Sequence, residues 1–147
     1  MVYDKIPATT VATKIDMKGL LKWHRQWNST EKGALCRSFF PAVEQRLKMK
    51  ISITPEFTAI ITSHRKTKYY LHRFKIANNP KCPCNEGTQT SEHIIYDCKI
   101  LESQRRSLIQ HIMVRGGDWP PTNGELVAKH LNAFSRFVKS IDFQKLN

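Results

Sequence analysis

Three cysteines and a histidine fall within seventeen residues, as Cys82-Pro83-Cys84, His93 and Cys98, with the spacing C-x-C-x8-H-x4-C. Thiolates and an imidazole at short range are the donor set of a closed tetrahedral zinc site, and such a site dictates the fold around it. Cys82 and Cys84 can both point inward only across a sharp turn. Pro83 limits that turn, and Asn85-Glu86-Gly87 let the chain reverse. His93 is then offered from the first turn of a following helix. Cys98 comes five residues later, about 140° round an ideal helix. The helix must therefore end, tighten or kink between His93 and Cys98 for both to reach one ion. The alternative is an ordinary buried Cys98 on an apolar face beside Ile94 and Ile95, with His93 at the surface. His72 is a substitute fourth ligand. Four protein ligands leave no open coordination position, so the expected Zn2+ is structural and not a Lewis acid.

The chain has 147 residues, a hydrophobic fraction of 40% and a formal net charge of +12. That length suits one typical domain or two very small ones with a modest core. The charge points to a polyanionic partner, first of all RNA or DNA. No apolar run approaches the ~20 residues that a bilayer requires, so no membrane partner is expected. The first thirty residues carry Asp4 and Asp16 and no apolar stretch of the secretory kind, so an intracellular location in nucleus or cytoplasm is expected. In that setting clustered cysteines read as metal ligands rather than disulfides.

The hydrophobic pattern predicts a mainly α chain of four to six helices, a small helical domain with a zinc-stabilised Cys/His loop. Three segments are expected: residues 1–30, an N-terminal arm and helix; 31–117, a basic helical region containing the metal motif; and 118–147, a C-terminal amphipathic helix. Val2 to Pro7 reads as an extended arm. Thr9 or Thr10 would cap a helix reaching Trp27, with Trp23 and Trp27 as core anchors. Ala34 to Phe40 is apolar and of open state, Pro41 suits a helix first turn, and residues 48–52 read as a short strand or a linker. Thr54-Pro55-Glu56 combines a cap, a first-turn proline and a first-turn acid. A short helix is expected over Lys66 to Phe74, and another from near Thr88–Ser91 to Val114, where Gly116-Gly117 stops it. Thr122 with Glu125 is a capping box for the last helix, whose broad apolar face runs from Leu126 to Ile141.

Between Glu56 and Glu86 no acidic residue occurs. That window holds Arg65, Lys66, Lys68, Arg73, Lys75 and Lys81, interleaved with His64, Tyr69, Tyr70, His72 and Phe74. Cations neutralise phosphates, and exposed rings stack on unpaired bases. Tyr70 and Phe74 share a helix face, so some rings are expected in the core and the charges outside. Arg105 and Arg106 would extend the basic patch. The twelve acids are scattered, without the carboxylate cluster of a two-metal nuclease. Cys36 has no base nearby in sequence and reads as a small buried residue between Leu35 and Phe39-Phe40.

With these residues in view, the chain resembles the C-terminal region of insect non-LTR retrotransposon polyproteins of the jockey-like and related lineages. The resemblance rests on Tyr3-Asp4-Lys5-Ile6-Pro7; Trp23-His24-Arg25-Gln26-Trp27 and Thr30-Glu31-Lys32-Gly33; Phe39-Phe40-Pro41; Thr62-Ser63-His64 ahead of Tyr70-Leu71-His72-Arg73-Phe74; Cys82-Pro83-Cys84, Thr90, Glu92-His93 and Cys98; and Trp119-Pro120-Pro121. It implies a cysteine/histidine zinc-binding tail, downstream of reverse transcriptase and any RNase H, that helps hold RNA or target DNA. The ligands carried over are Cys82, Cys84, His93 and Cys98, and residues 1–30 become linker-like. The polymerase and nuclease activities of such a polyprotein do not transfer, so no enzyme is expected. The alternative is a scaffold module that docks on the parent reverse transcriptase or a host factor through its first and last helices. The chain departs from the family at Ser63-His64-Arg65, where relatives often carry glycine on each side of the histidine.

Overall fold

A computed structural model describes residues 7–146. The expected extended arm lies outside them, apart from Pro7. Among the described residues there are seven α-helices and no strand, only an isolated antiparallel bridge between Lys81 and Thr88. The mainly α fold class therefore holds. The helix count exceeds the four to six expected by one, the six-residue helix Ala34–Phe39, which is too short to leave a periodic signature. No described helix is long and apolar enough to cross a membrane. The chain divides into two compact units between Lys50 and Ile51.

The first unit contains α1 (Ala8–Ser29), α2 (Ala34–Phe39) and α3 (Val43–Lys48). Helix α1 starts directly after Pro7, so Thr9 and Thr10 lie inside it rather than capping it. It buries none of its residues. Trp23 is 50% exposed and is not a core anchor. Trp27 is partly buried, and its indole Nε1 donates to the Phe40 carbonyl at 2.8 Å. Pro41 precedes α3 instead of opening it, because Ala42 occupies the cap in an extended conformation. Residues 49–54 take no regular structure, the linker rather than the strand.

The second unit carries most of the buried apolar residues. Its helices are α4 (Pro55–Thr62), α5 (Lys68–Arg73), α6 (Glu102–Val114) and α7 (Asn123–Lys139). Thr54 caps α4 by accepting from the Phe57 amide at 3.1 Å, with Pro55 in the first turn. Thr67 does the same for α5 through the Tyr70 amide. Helix α6 ends in a Schellman turn: the Gly117 amide reaches the Ile112 carbonyl and the Gly116 amide reaches that of Met113, with Gly116 at φ +75°. Thr122 and Glu125 form the expected capping box of α7. Helix α7 lays Leu126, Val127, Phe134, Phe137 and Val138 into the core, where Phe134 meets Phe57 edge-on at 5.8 Å.

Burial separates the two aromatic classes energetically. Phe134→Ala is expected to cost about 3–5 kcal/mol of stability, from lost transfer energy and a cavity. Trp23→Ala, at a half-exposed site, is expected to cost under about 0.5 kcal/mol. Denaturant titration of both variants checks the contrast, and equal losses would contradict this packing.

Candidate metal centre

The segment leading into the site is a tight reversal. The Cys82 amide donates to the Gly87 carbonyl at 2.8 Å, and the Asn85 amide donates back to the Cys82 carbonyl at 3.0 Å. Asn85 takes φ +63° and Gly87 φ +154°, the latter a conformation that side chains rarely accept. The turn presents the Cys82 and Cys84 thiols on one side. Thr90 then caps the next segment, its Oγ1 accepting from the His93 amide at 3.1 Å.

The mismatch between His93 and Cys98 is resolved by widening the helix. Residues His93–Asp97 form a single π turn, and the Cys98 amide bonds to the His93 carbonyl at 2.8 Å. An i→i+5 bond brings residue 98 back over residue 93, which an α-helix does not do. The π turn changes the pitch, and the helix then ends at Asp97, before Cys98, as the ligand spacing requires. It is followed by an extended Cys98 and a short 3₁₀ turn, Lys99–Leu101, before α6 begins.

The result is a four-donor cluster. Cys82 Sγ, Cys84 Sγ, Cys98 Sγ and a His93 ring nitrogen all lie within 4.8 Å of one another. Cys82 Sγ is 3.6 Å from Cys98 Sγ, and Cys84 Sγ is 3.2 Å from His93 Nε2. Two thiolates on one tetrahedral zinc stand about 3.8 Å apart, so the spacing suits a shared ion. It is far beyond the ~2.05 Å of a disulfide, and all four cysteines are free thiols. Cys82, His93 and Cys98 are buried, and Cys84 is partly exposed. The alternative of a surface His93 does not hold. His72 is exposed and lies outside the cluster.

Burial and local hydrogen bonds set the protonation of the donors. Burial pushes the Cys82 thiol up to about 12, so with protons alone it stays neutral. At Cys84 burial also opposes ionisation, but the Glu86 and Lys99 amides and the neighbouring thiols outweigh it and lower the pKa. Burial lowers the pKa of His93 and keeps its imidazole neutral, the ligating form. Binding a metal here must expel thiol protons, so affinity rises with pH.

Two residues around the site were not anticipated from sequence. The π turn leaves the Ile94 and Ile95 carbonyls without their usual helical donors. Arg105 supplies them: Nε donates to the Ile95 carbonyl at 2.6 Å, and Nη2 donates to those of Ile94 at 3.1 Å and Cys98 at 2.8 Å. Arg105 is only 5% exposed, which corrects its assignment to the basic surface; Arg106 is exposed. Gln89 is the second. Fully buried, it places Nε2 4.0 Å from Cys82 Sγ and donates to the Leu146 carbonyl. Its Oε1 accepts from the Lys68 amide at 2.7 Å, and its carbonyl accepts from the Tyr69 amide at 3.3 Å. The cysteine turn is thereby tied to the start of α5. No spacing rule flags a lone arginine or glutamine, and the signal lies only in the unpaired carbonyls of a π turn.

The basic window is mostly at the surface. Arg65, Arg73, Lys75 and Lys81 are exposed, and Lys68 is half-buried. Lys66 is engaged: Nζ pairs with Glu56 at 2.6 Å and lies 5.2 Å from the centre of the Phe143 ring. Of the rings, some of which were expected in the core, none is buried: Tyr70 is half-buried, and Tyr69 and Phe74 are 40% and 58% exposed. Cys36 is half-buried, with its thiol pKa raised by burial.

Two outcomes follow for the site. Arg105→Gln should destabilise the protein by about 3 kcal/mol, since buried carbonyls lose charged donors. It should also weaken metal affinity without touching a ligand; unchanged affinity in a competition titration would contradict this support. Acidification should destabilise the metal-free fold below pH ~6.5. His93, His111 and His130 all have depressed pKa values, first through burial. The unfolded chain then binds more protons, and stability present above the unfolded pKa is lost as pH falls. Melting temperatures across pH 5–8 check the sign.

No family model matches the chain, and no solved structure matches it. Two curated relatives do. One is the retrovirus-related Pol polyprotein from the type-1 retrotransposable element R1 of Bradysia coprophila, 24% identical over 98 residues. The other is the protein of the same description from Popillia japonica, 27% identical over 96 residues. Each alignment covers 65% of this chain, but only 10% of the first relative and 38% of the second. The similarity supports a retrotransposon origin for this sequence.

Proposed function

We propose that the chain is a zinc-stabilised nucleic-acid-binding region of a type-1 retrotransposable-element polyprotein, without catalytic activity of its own. The observation that carries the reading is the convergence of Cys82, Cys84, His93 and Cys98 within 4.8 Å. Three thiols and an imidazole form a soft, closed donor set, which suits zinc better than magnesium or calcium. Three thiolates, a neutral imidazole and a divalent ion carry one net negative charge, and the buried guanidinium of Arg105 offsets it. When bound, the ion supplies cross-linking rather than chemistry. The four residues hold the cysteine turn against the π turn, and Gln89 passes that order to α5. Exposed Arg65, Arg73, Lys75 and Lys81 then meet phosphate, helped by the absence of acids between Glu56 and Glu86. RNA or DNA is the partner this charge selects.

A scaffold role is the second reading, and one observation favours it. Helix α1 exposes Val11, Ile15, Met17, Leu21 and Trp23, a surface that a parent reverse transcriptase or host protein would cover. The last helix, in contrast, has its apolar face in the core and is not free to dock.

Binding of the zinc-loaded chain to labelled oligonucleotide over a salt series separates the readings. Affinity is expected to fall steeply with salt, by a log–log slope of about 0.7–0.9 per phosphate contacted. The double charge reversal Arg73→Glu, Lys81→Glu should flatten that slope by about two contacts. Salt-independent or absent binding, accompanied by self-association, would overturn the nucleic-acid reading.

A further inference from the structure

The surface around α5 has two features that a generic phosphate patch does not require. The first is a run of rings in tilted contact, with interplanar angles of 47° and 38°. His64 lies 5.0 Å from Tyr70, and Tyr70 lies 4.6 Å from Phe74, centroid to centroid. The run ends at Phe74, which leaves 58% of its surface to solvent. An aromatic ring this exposed at the end of such a run is an open position for one planar group.

The second feature is backbone conformation at the two ends of α5. Arg65 and Lys75 take φ +68° and +57°, the left-handed region that strains a side chain of their kind relative to glycine. Lys75 occupies the glycine position of a Schellman turn, in which the Ile76 amide bonds to the Leu71 carbonyl and the Lys75 amide to the His72 carbonyl. Both residues are exposed, and neither is buried in a way that would repay the strain. A cation follows each end ring of the run in sequence, Arg65 after His64 and Lys75 after Phe74, where the backbone would prefer no side chain.

We propose that α5 and its two flanking turns form a binding site for an unpaired nucleic-acid strand. A base stacks on the open face of Phe74, and Arg65, Arg73 and Lys75 hold the sugar–phosphate chain on either side. In a duplex the base faces are occupied by their neighbours and cannot reach the ring, so the site discriminates by strand state. This inference rests on the nucleic-acid reading above and names the class of strand it selects.

The test compares a mixed-sequence single-stranded oligonucleotide with the duplex of the same sequence, using the full zinc-loaded chain. The wild type is expected to bind the single strand more tightly at equal salt. Phe74→Ala should lose about tenfold in single-strand affinity and leave duplex affinity within about twofold. Lys75→Gly and Arg65→Gly should each melt about 2–4 °C higher, as left-handed strain is relieved. Each should nonetheless bind the single strand more weakly, with a salt slope reduced by about 0.7. A merely structural role for these residues cannot raise stability and lower affinity together. Equal affinity for both probes, with Phe74→Ala affecting them alike, would overturn the strand-selective site while leaving nucleic-acid binding in place. No binding of either probe would overturn both.

Discussion

The hydrogen bond from the Cys98 amide to the His93 carbonyl is the constraint on which the site depends. It forces one π turn into a segment that would otherwise continue as α-helix, and it sets His93 and Cys98 on the same side. Every other feature of the centre adjusts to it. Two carbonyls lose their helical donors, and a buried arginine from α6 replaces those donors. Cys98 leaves the helix in an extended conformation, and its own carbonyl goes to the same guanidinium. A π turn is a costly local structure that persists where something selects it. Here the four donors give the reason.

The same region links metal chemistry to the surface. Gln89 lies between the thiol of Cys82 and the first turn of α5, with hydrogen bonds to Lys68, Tyr69 and Leu146. Ordering the cysteine turn therefore orders the basic helix and the end of the chain together. Helix α5 has six residues and could not persist in isolation. Its stability comes from Thr67, Gln89 and the Schellman turn at Lys75, so the cations around it inherit the order of the centre. Under the proposed function, contact with phosphate would gain from this, because pre-ordered cations lose less entropy on binding.

Much of the fold was legible from local chemistry. The caps at Thr54 and Thr122, the stop at Gly116 and the buried stripe of α7 each follow from residue types whose preferences act within a single turn. The four donors were legible as a set because their spacing carries its own geometric demand. What failed depended on tertiary partners. Trp23 reads as a core anchor by type, yet α1 buries none of its residues. Arg105 reads as surface charge by type, yet the carbonyls of the π turn draw it inside. Tyr70 and Phe74 share a helix face that reads as partly core, yet Tyr70 is only half-buried and Phe74 is left open to solvent. At Ser63 and Arg65 the left-handed turn is present without the glycines that usually allow it.

The central claim is that one metal ion unites Cys82, Cys84, His93 and Cys98. Zinc stoichiometry of the purified chain, measured beside Cys84→Ser with circular dichroism on both, tests it most directly. The account predicts one zinc per chain, lost in the variant together with part of the helical signal. Absence of zinc from a wild-type chain that retains its full helical signal would contradict it.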